Sequence, residues 1–321
     1  MYQNTAAESR PELLVVVQEA MAIDKKFIAD LIFPSYPVKT RTGDYMRLKK
    51  GSGGLLATEG SDALLRAPGT PYRAIGRTSE LDGWNCKDRG LTEPIDDTIA
   101  QNQSRFFDVE SSSSTFLARN VRISREQRVA AILFGTIWGA KQSGVKYLKA
   151  NLATMDVPED LKEAIQVVDK RQEEANTLVL SRPVWDLISI SDKMRMFIFG
   201  QLQGSSMITP ALVAEKFGLK QVLIGSASFS TAKRGKEVTD ADLAWCWPEN
   251  KIWIGNVQTG APEAGGAGRT FVLEDTTSGG ELLVVETYRD ENLRSDIVRV
   301  REDTDEKIVN ENAGTILTVN W

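Results

Sequence analysis

The chain contains no histidine and only two cysteines, Cys86 and Cys246, among its 321 residues. Without imidazole, Ser-His-Asp and Cys-His nucleophile arrangements cannot be assembled, and histidine-based zinc sites are excluded. Two distant cysteines make neither a four-thiolate site nor the disulfide framework of a small secreted scaffold, so both are expected as reduced, packed side chains. No apolar run approaches the roughly 20 residues needed to span a bilayer. No basic segment followed by an apolar stretch marks a secretory signal at the N-terminus. The expectation is a protein made in the cytoplasm, with no membrane partner.

Phosphate-binding punctuation is missing as well. Strand Asn176–Ser181 leads into Arg182-Pro183, which opens a helix but offers no glycine. Gly51-Ser52-Gly53-Gly54 and the glycine-rich stretch 260–268 lack the Lys-Ser/Thr ending of a phosphate loop and read as mobile loops. Lys233-Arg234-Gly235-Lys236 is short and has no interleaved aromatics, so it reads as a solvated turn. Carboxylates remain as candidate acids or ligands: Asp96-Asp97, Asp240-x-Asp242 and Asp303-x-Asp305. Neighbours on a strand point to opposite faces, and Asp240-x-Asp242 lacks the glycine and distal glutamate of a calcium loop. Surface turns or helix starts account for all three pairs. No catalytic, cofactor or metal site is assigned.

The chain does have enough apolar residues, 41%, to fill a large core. Its net charge of −5 is unevenly spread. Residues 1–155 hold 21 Lys+Arg against 17 Asp+Glu, and residues 156–321 hold 18 against 27. The stretch 39–89, with 10 Lys+Arg and 6 Asp+Glu, supplies the whole positive balance of the first half.

Hydropathy patterning gives the element order. An amphipathic helix follows Pro11, and residues 31–37, with two prolines, read as an extended arm. Residues 44–50 and 72–78 read as two strands of a long hairpin whose tip, 51–71, is too long for a tight turn. Such a hairpin has few large apolar residues and needs a neighbour to pack on, in its own chain or in another subunit. A long helix spans about 108–138, with Phe116 or Leu117, Val121, Val129 and Ile132 or Leu133 on its inner stripe. Helix 158–168, strand 176–181, helix 183–190, a Met- and Phe-rich loop 194–208, helix 210–217 and strand 220–225 follow. The continuous apolar character of both strands predicts burial on two faces. Strands at 251–257, 270–273, 282–288, 297–301, 307–309 and 315–319 close the chain. Trp245, Trp247 and Trp253 are expected to be core residues.

This order of parts resembles the major capsid protein of tailed bacteriophages, the Hong Kong 97 phage-type fold that encapsulin shells also share. The resemblance rests on the arm, the hairpin 39–89, Ile95-Asp96-Asp97 and the long helix with Glu126. It continues through Asn176–Trp185, Leu212–Leu219, Val222–Ala227 and Arg299–Leu317. It implies an α+β fold: an N-terminal arm, 1–38, that reaches another subunit; an extended β-hairpin loop, 39–89; a peripheral domain, 90–138 and 282–312, with a spine helix; and an axial α/β domain, 139–281 and 313–321, with loop 258–269 at the ring axis. It implies a structural, non-enzymatic role in pentamers and hexamers of an icosahedral virion shell around double-stranded DNA. The implied partners are the chain itself, portal, scaffolding and decoration proteins, and packaged DNA held non-specifically. Assembly is implied in the host cytoplasm. The rival readings are an encapsulin-like compartment and a soluble carboxylate-dependent enzyme. From charge, Lys49, Lys50, Arg66, Arg73 and Arg77 are the candidate inter-subunit contacts, meeting an acidic C-terminal half of a neighbour.

Overall fold

The computed structural model describes residues 7–49, 65–72, 79–103, 108–142, 152–200, 207–233, 235–274 and 282–319. The chain opens with β1 (Glu8–Ser9), α1 (Pro11–Ile23), α2 (Ala29–Ile32), β2 (Ser35–Val38) and β3 (Thr42–Leu48). It continues with β4 (Ser79–Asn85), β5 (Lys87–Asp96), α3 (Asp97–Gln103), α4 (Val109–Leu133) and β6 (Ala140–Gln142). Next come α5 (Val157–Asp169), β7 (Thr177–Ser181), α6 (Arg182–Ile190), α7 (Asp192–Phe199), α8 (Pro210–Phe217) and β8 (Gln221–Gly225). The last elements are β9 (Ser228–Ser230), β10 (Leu243–Trp245), β11 (Lys251–Gly255), β12 (Gly268–Leu273), β13 (Val284–Asp290), β14 (Ser295–Ile308) and β15 (Gly314–Thr318).

Local chemistry sets many of these boundaries. Proline stands in the first turn of α1, α5, α6 and α8, where its missing N–H costs nothing. Thr209 caps α8 by accepting from Leu212 N. Gly200 and Gly218 close α7 and α8 in the left-handed conformation. The expected loop 194–208 is corrected here: its first part is helix α7, started after Ser191 and stopped by Gly200.

One sheet has the order β6-β15-β11-β7-β8, with β7 and β8 parallel and β11 antiparallel to β7 and β15. Alternation splits its side chains between two layers. Leu178, Leu180, Ile252 and Ile254 join α5 to α8, while Val179 and Trp253 face a second core with α2, the end of α4, Trp138 and Trp247. Burial on two faces is thus observed for β7, whereas β8, at the edge of the sheet, is only partly buried.

The other large sheet runs β1-β13-β14-β12-β2, and β5 pairs along the opposite side of β14. Helix α4 lies across it, sending Leu117 and Val121 onto Val285, Val298 and Val300. The two strands expected at 297–301 and 307–309 are one 14-residue strand, β14. Strand β12 lies within 139–281 but hydrogen-bonds to β14 and β2, in this second sheet. The stretch 31–37 is the end of α2 followed by the extended strand β2, and β1, α1 and β2 all pack on the chain itself.

Candidate inter-subunit surface

The hairpin is β3 paired with β4, from Thr42 opposite Asn85 to Leu48 opposite Ser79. The return strand therefore lies later than the expected 72–78, of which 73–78 fall outside the described residues. The hairpin base is pinned. Leu48 N donates to Val309 O at 2.9 Å, Glu311 N to Leu48 O at 2.9 Å, and Asn312 Nδ2 to Lys49 O at 2.9 Å. Tyr45 is buried, donates to Ile308 O at 2.8 Å and packs on Phe271, on which Trp84 stacks at 5.0 Å. Burial, with Asp82 nearby, pushes the Tyr45 phenol up from its usual range.

The candidate charges divide. Lys49 pairs with Glu80 at 3.0 Å inside the hairpin, beside Arg47, which reaches Glu80 at 2.8 Å and Asp82 at 2.9 Å. Lys49 and Arg47 hold the Glu80 carboxyl below its ordinary range. Arg66 lies over the Tyr72 ring at 4.8 Å and donates to Thr70 O at 3.2 Å. Lys50, Arg73 and Arg77 lie outside the described residues. What charge reasoning missed is apolar: Met46 and Leu81 sit opposite each other and are 50% and 65% exposed. The signal was present in the alternation Tyr45-Met46-Arg47, whose outward member is apolar.

Beside the hairpin, α4 and β14 share a buried ion network. Arg125 contacts Glu302 at 2.8 Å and Asp30 at 2.7 Å; Arg128 contacts Glu302 at 2.5 Å and Glu306 at 2.7 Å. Burial opposes ionisation of Glu306, yet the hydrogen bonds and charge of Arg128 hold its carboxyl below the usual range. One residue along, Glu126 has no such cation. Its Oε1 accepts from Ile28 N and Ala29 N and its Oε2 from Trp247 Nε1, each at 2.7 Å. Burial pushes this carboxyl to about 7 in spite of those three donors. Glu126 thereby ties α2, α4 and the segment after β10 together. Trp247 in turn lies flat over Gly225, where a Cβ would stand 2.2 Å from its ring.

The carboxylate pairs do structural work. Asp97 meets Arg289 at 2.6 and 2.8 Å, and Asp96 caps the start of α3 through Thr98 N. Asp242 forms a capping box with Thr239. Asp303 and Asp305 lie on β14, not in a turn, with Asp303 held by Arg41 and Arg301 and Asp305 accepting from Asn85 N. Among the described residues no three acidic or thiol side chains converge as metal ligands. Both cysteines are free and buried, their thiols pushed up by burial to about 11 for Cys86 and about 12 for Cys246.

The glycine-rich stretch expected to be mobile is a pinned turn. The buried Arg269 guanidinium donates to Gly260 O, Gly265 O and Gly268 O, each at 2.8 Å. Gly266 has φ +83°, and a Cβ there would meet Gln258 N at 2.8 Å. Among the described residues no helix is long and apolar enough to cross a membrane.

No family model and no curated protein matches the chain. Solved structures do. A phage-related protein from Bordetella bronchiseptica RB50 superimposes with a TM-score of 0.72 at 18% identity, covering 98% of each chain. The capsid of the cyanophage P-SCSP1u gives 0.55 at 13% identity, covering 92% of this chain and 89% of that one. A virus-like particle from Pyrococcus furiosus gives 0.53 at 13% identity, covering 96% of each chain. The chain has the α+β Hong Kong 97 phage-type capsid fold.

Proposed function

We propose that this chain is a shell subunit, the major capsid protein of a tailed phage. It assembles as pentamers and hexamers of an icosahedral virion shell enclosing double-stranded DNA. The observation that carries the reading is the near-complete superposition on a phage-related protein, with a capsid structure matching over most of the same chain. In this reading α4 and the β14 sheet form the peripheral domain and the β11 sheet forms the axial one. The hairpin 39–89 lies across a neighbour, and the exposed Met46–Leu81 pair supplies the apolar contact that its base leaves uncovered. Lys49, Lys50, Arg66, Arg73 and Arg77 then act at the rim, where single ion pairs contribute roughly 0–1 kcal/mol each. The role is structural and needs no cofactor. Portal, scaffolding and decoration proteins are the expected companions, assembly takes place in the host cytoplasm, and the net negative charge keeps packaged DNA loosely held.

Negative-stain imaging of the purified protein, with nuclease-protected DNA measured in particles from producing cells, tests this. Closed shells holding DNA are expected. Closed shells filled with protein in place of DNA would identify a cargo compartment, and a compact monomer would sink the shell reading.

A further inference from the structure

Strand β5 is ten residues long, and among the described residues β14 is its sole strand partner. Among the described residues no strand covers its outer edge, about 33 Å long, and Pro94 is the one residue on it without an N–H. Natural edges of that length are covered, broken or paired. A cross-strand row also stops short at this edge. Val285, Val300 and Leu91 stand opposite one another on β13, β14 and β5, facing the α4 side. The first two are 1% and 0% exposed, while Leu91 is 44% exposed. The core layer beneath α4 runs out one residue before it is closed.

We propose that β5 pairs antiparallel with β5 of a second copy of this chain, about a two-fold axis at Leu91. Symmetry then sets each neighbour. Leu91 meets Leu91, closing the truncated row, and Arg89 stands opposite Glu93 on both sides of the axis. The charges fit this register. A shift of the axis to Arg89 places like charges together, and a shift to Thr92 sets Asp88 against Asp96. Arg89, Leu91 and Glu93 alternate onto the same face of β5. Arg89 uses its Nη1 on Thr304 O at 2.9 Å and keeps further N–H groups for an acceptor across the edge. Antiparallel pairing supplies main-chain hydrogen bonds, and an isologous contact of this kind closes on itself. The contact goes beyond the shell reading. In a shell it joins subunits of neighbouring rings, and without a shell it makes a dimer.

Leu91→Cys tests it directly. Paired residues on antiparallel strands have Cα atoms about 4.5–5.5 Å apart, within the range a disulfide spans. The native cysteines are buried and stay silent. Mild oxidation is expected to give a dimer band at twice the 35.5 kDa chain on a non-reducing gel, with none for Thr92→Cys. Leu91→Asp and Leu91→Lys should each cut association through this edge by more than about tenfold, and mixing the two should restore it. Equal cross-linking of the two cysteine variants, or association unaffected by Leu91→Asp, would overturn the pairing. Particles that form normally with either result would leave the shell reading standing. Cross-linked dimers from a chain that forms no particles would do the reverse.

Discussion

Strand β11 carries Ile252, Trp253 and Ile254, all fully buried, and its sheet packs apolar side chains on both faces. Strand β14 begins in the same way, with Val298 and Val300, and then continues under the same helix with Glu302 and Glu306. Its neighbours there are Arg125 and Arg128. The first sheet is held by shape, the second by shape at one end and by charge pairing at the other. Apolar contacts degrade gradually when a side chain is trimmed. A buried ion network fails abruptly when one member is removed, because the others stay desolvated without a counter-charge.

The largest expected effect follows from that contrast. Arg125→Met should destabilise the fold by about 3–5 kcal/mol, since it leaves the buried Glu302 with Arg128 alone and Asp30 with only the longer contact to Arg122 at 3.4 Å. Chemical denaturation reads it. Adding Glu302→Met should recover part of the loss, and no recovery would mean that Arg125 acts by packing alone. Next, Ile254→Ala in the apolar sheet should cost about 2–4 kcal/mol, with no rescue by any charge change nearby.

The third effect depends on pH. Glu126 titrates at about 7 in the folded chain, above its unfolded value. A carboxyl with a raised folded pKa binds its proton more tightly when folded. Its contribution is therefore complete below about pH 4 and is lost as pH rises through about 7. Glu126→Gln removes that slope while leaving Trp247 Nε1 facing an amide that no longer matches it in every orientation. The stability gap between wild type and Glu126→Gln should shrink by about 2–3 kcal/mol between pH 4 and pH 8. A gap that is flat across this range would mean that the three N–H donors, not burial, set the carboxyl's state.

Legibility in the sequence follows the same division. Strands β7 and β8 and helices α6 and α8 were readable to within a residue or two, because their apolar periodicity and Pro or Gly punctuation agree. Strand β14 was broken in two because Glu302, Asp303 and Glu306 look like a loop until arginines from elsewhere pair with them. Strand β5 was invisible: Lys87-Asp88-Arg89-Gly90 has no alternation, and it is a strand only because β14 lies beside it. Helix α7 was hidden by its Met and Phe residues, although Ser191 and Gly200 marked both ends. Nothing in the sequence around Arg269 signals its role, which depends on three carbonyl acceptors that the fold places around it. On the hairpin, the charges were legible and the apolar pair that distinguishes its outer face was overlooked.

The smallest effect on the isolated chain is expected at that pair. Met46 and Leu81 touch solvent on one side of the hairpin, while the base is held from the other side by Tyr45, Phe271 and the backbone bonds to Val309 and Glu311. Met46→Ser with Leu81→Ser should therefore shift unfolding by no more than about 0.5 kcal/mol per site. If the pair faces a neighbour in the shell, the same change should sharply lower particle yield, because buried apolar anchors carry most of an interface's energy. Reversing Lys49, Lys50 and Arg66 together should lower it less and only at low salt, since rim charges are screened. Thermal unfolding of the subunit and particle counts by imaging separate the two. Intact particles from the double serine variant would remove Met46 and Leu81 from the interface. Particles lost with the charge reversal alone would return the contact to the basic residues.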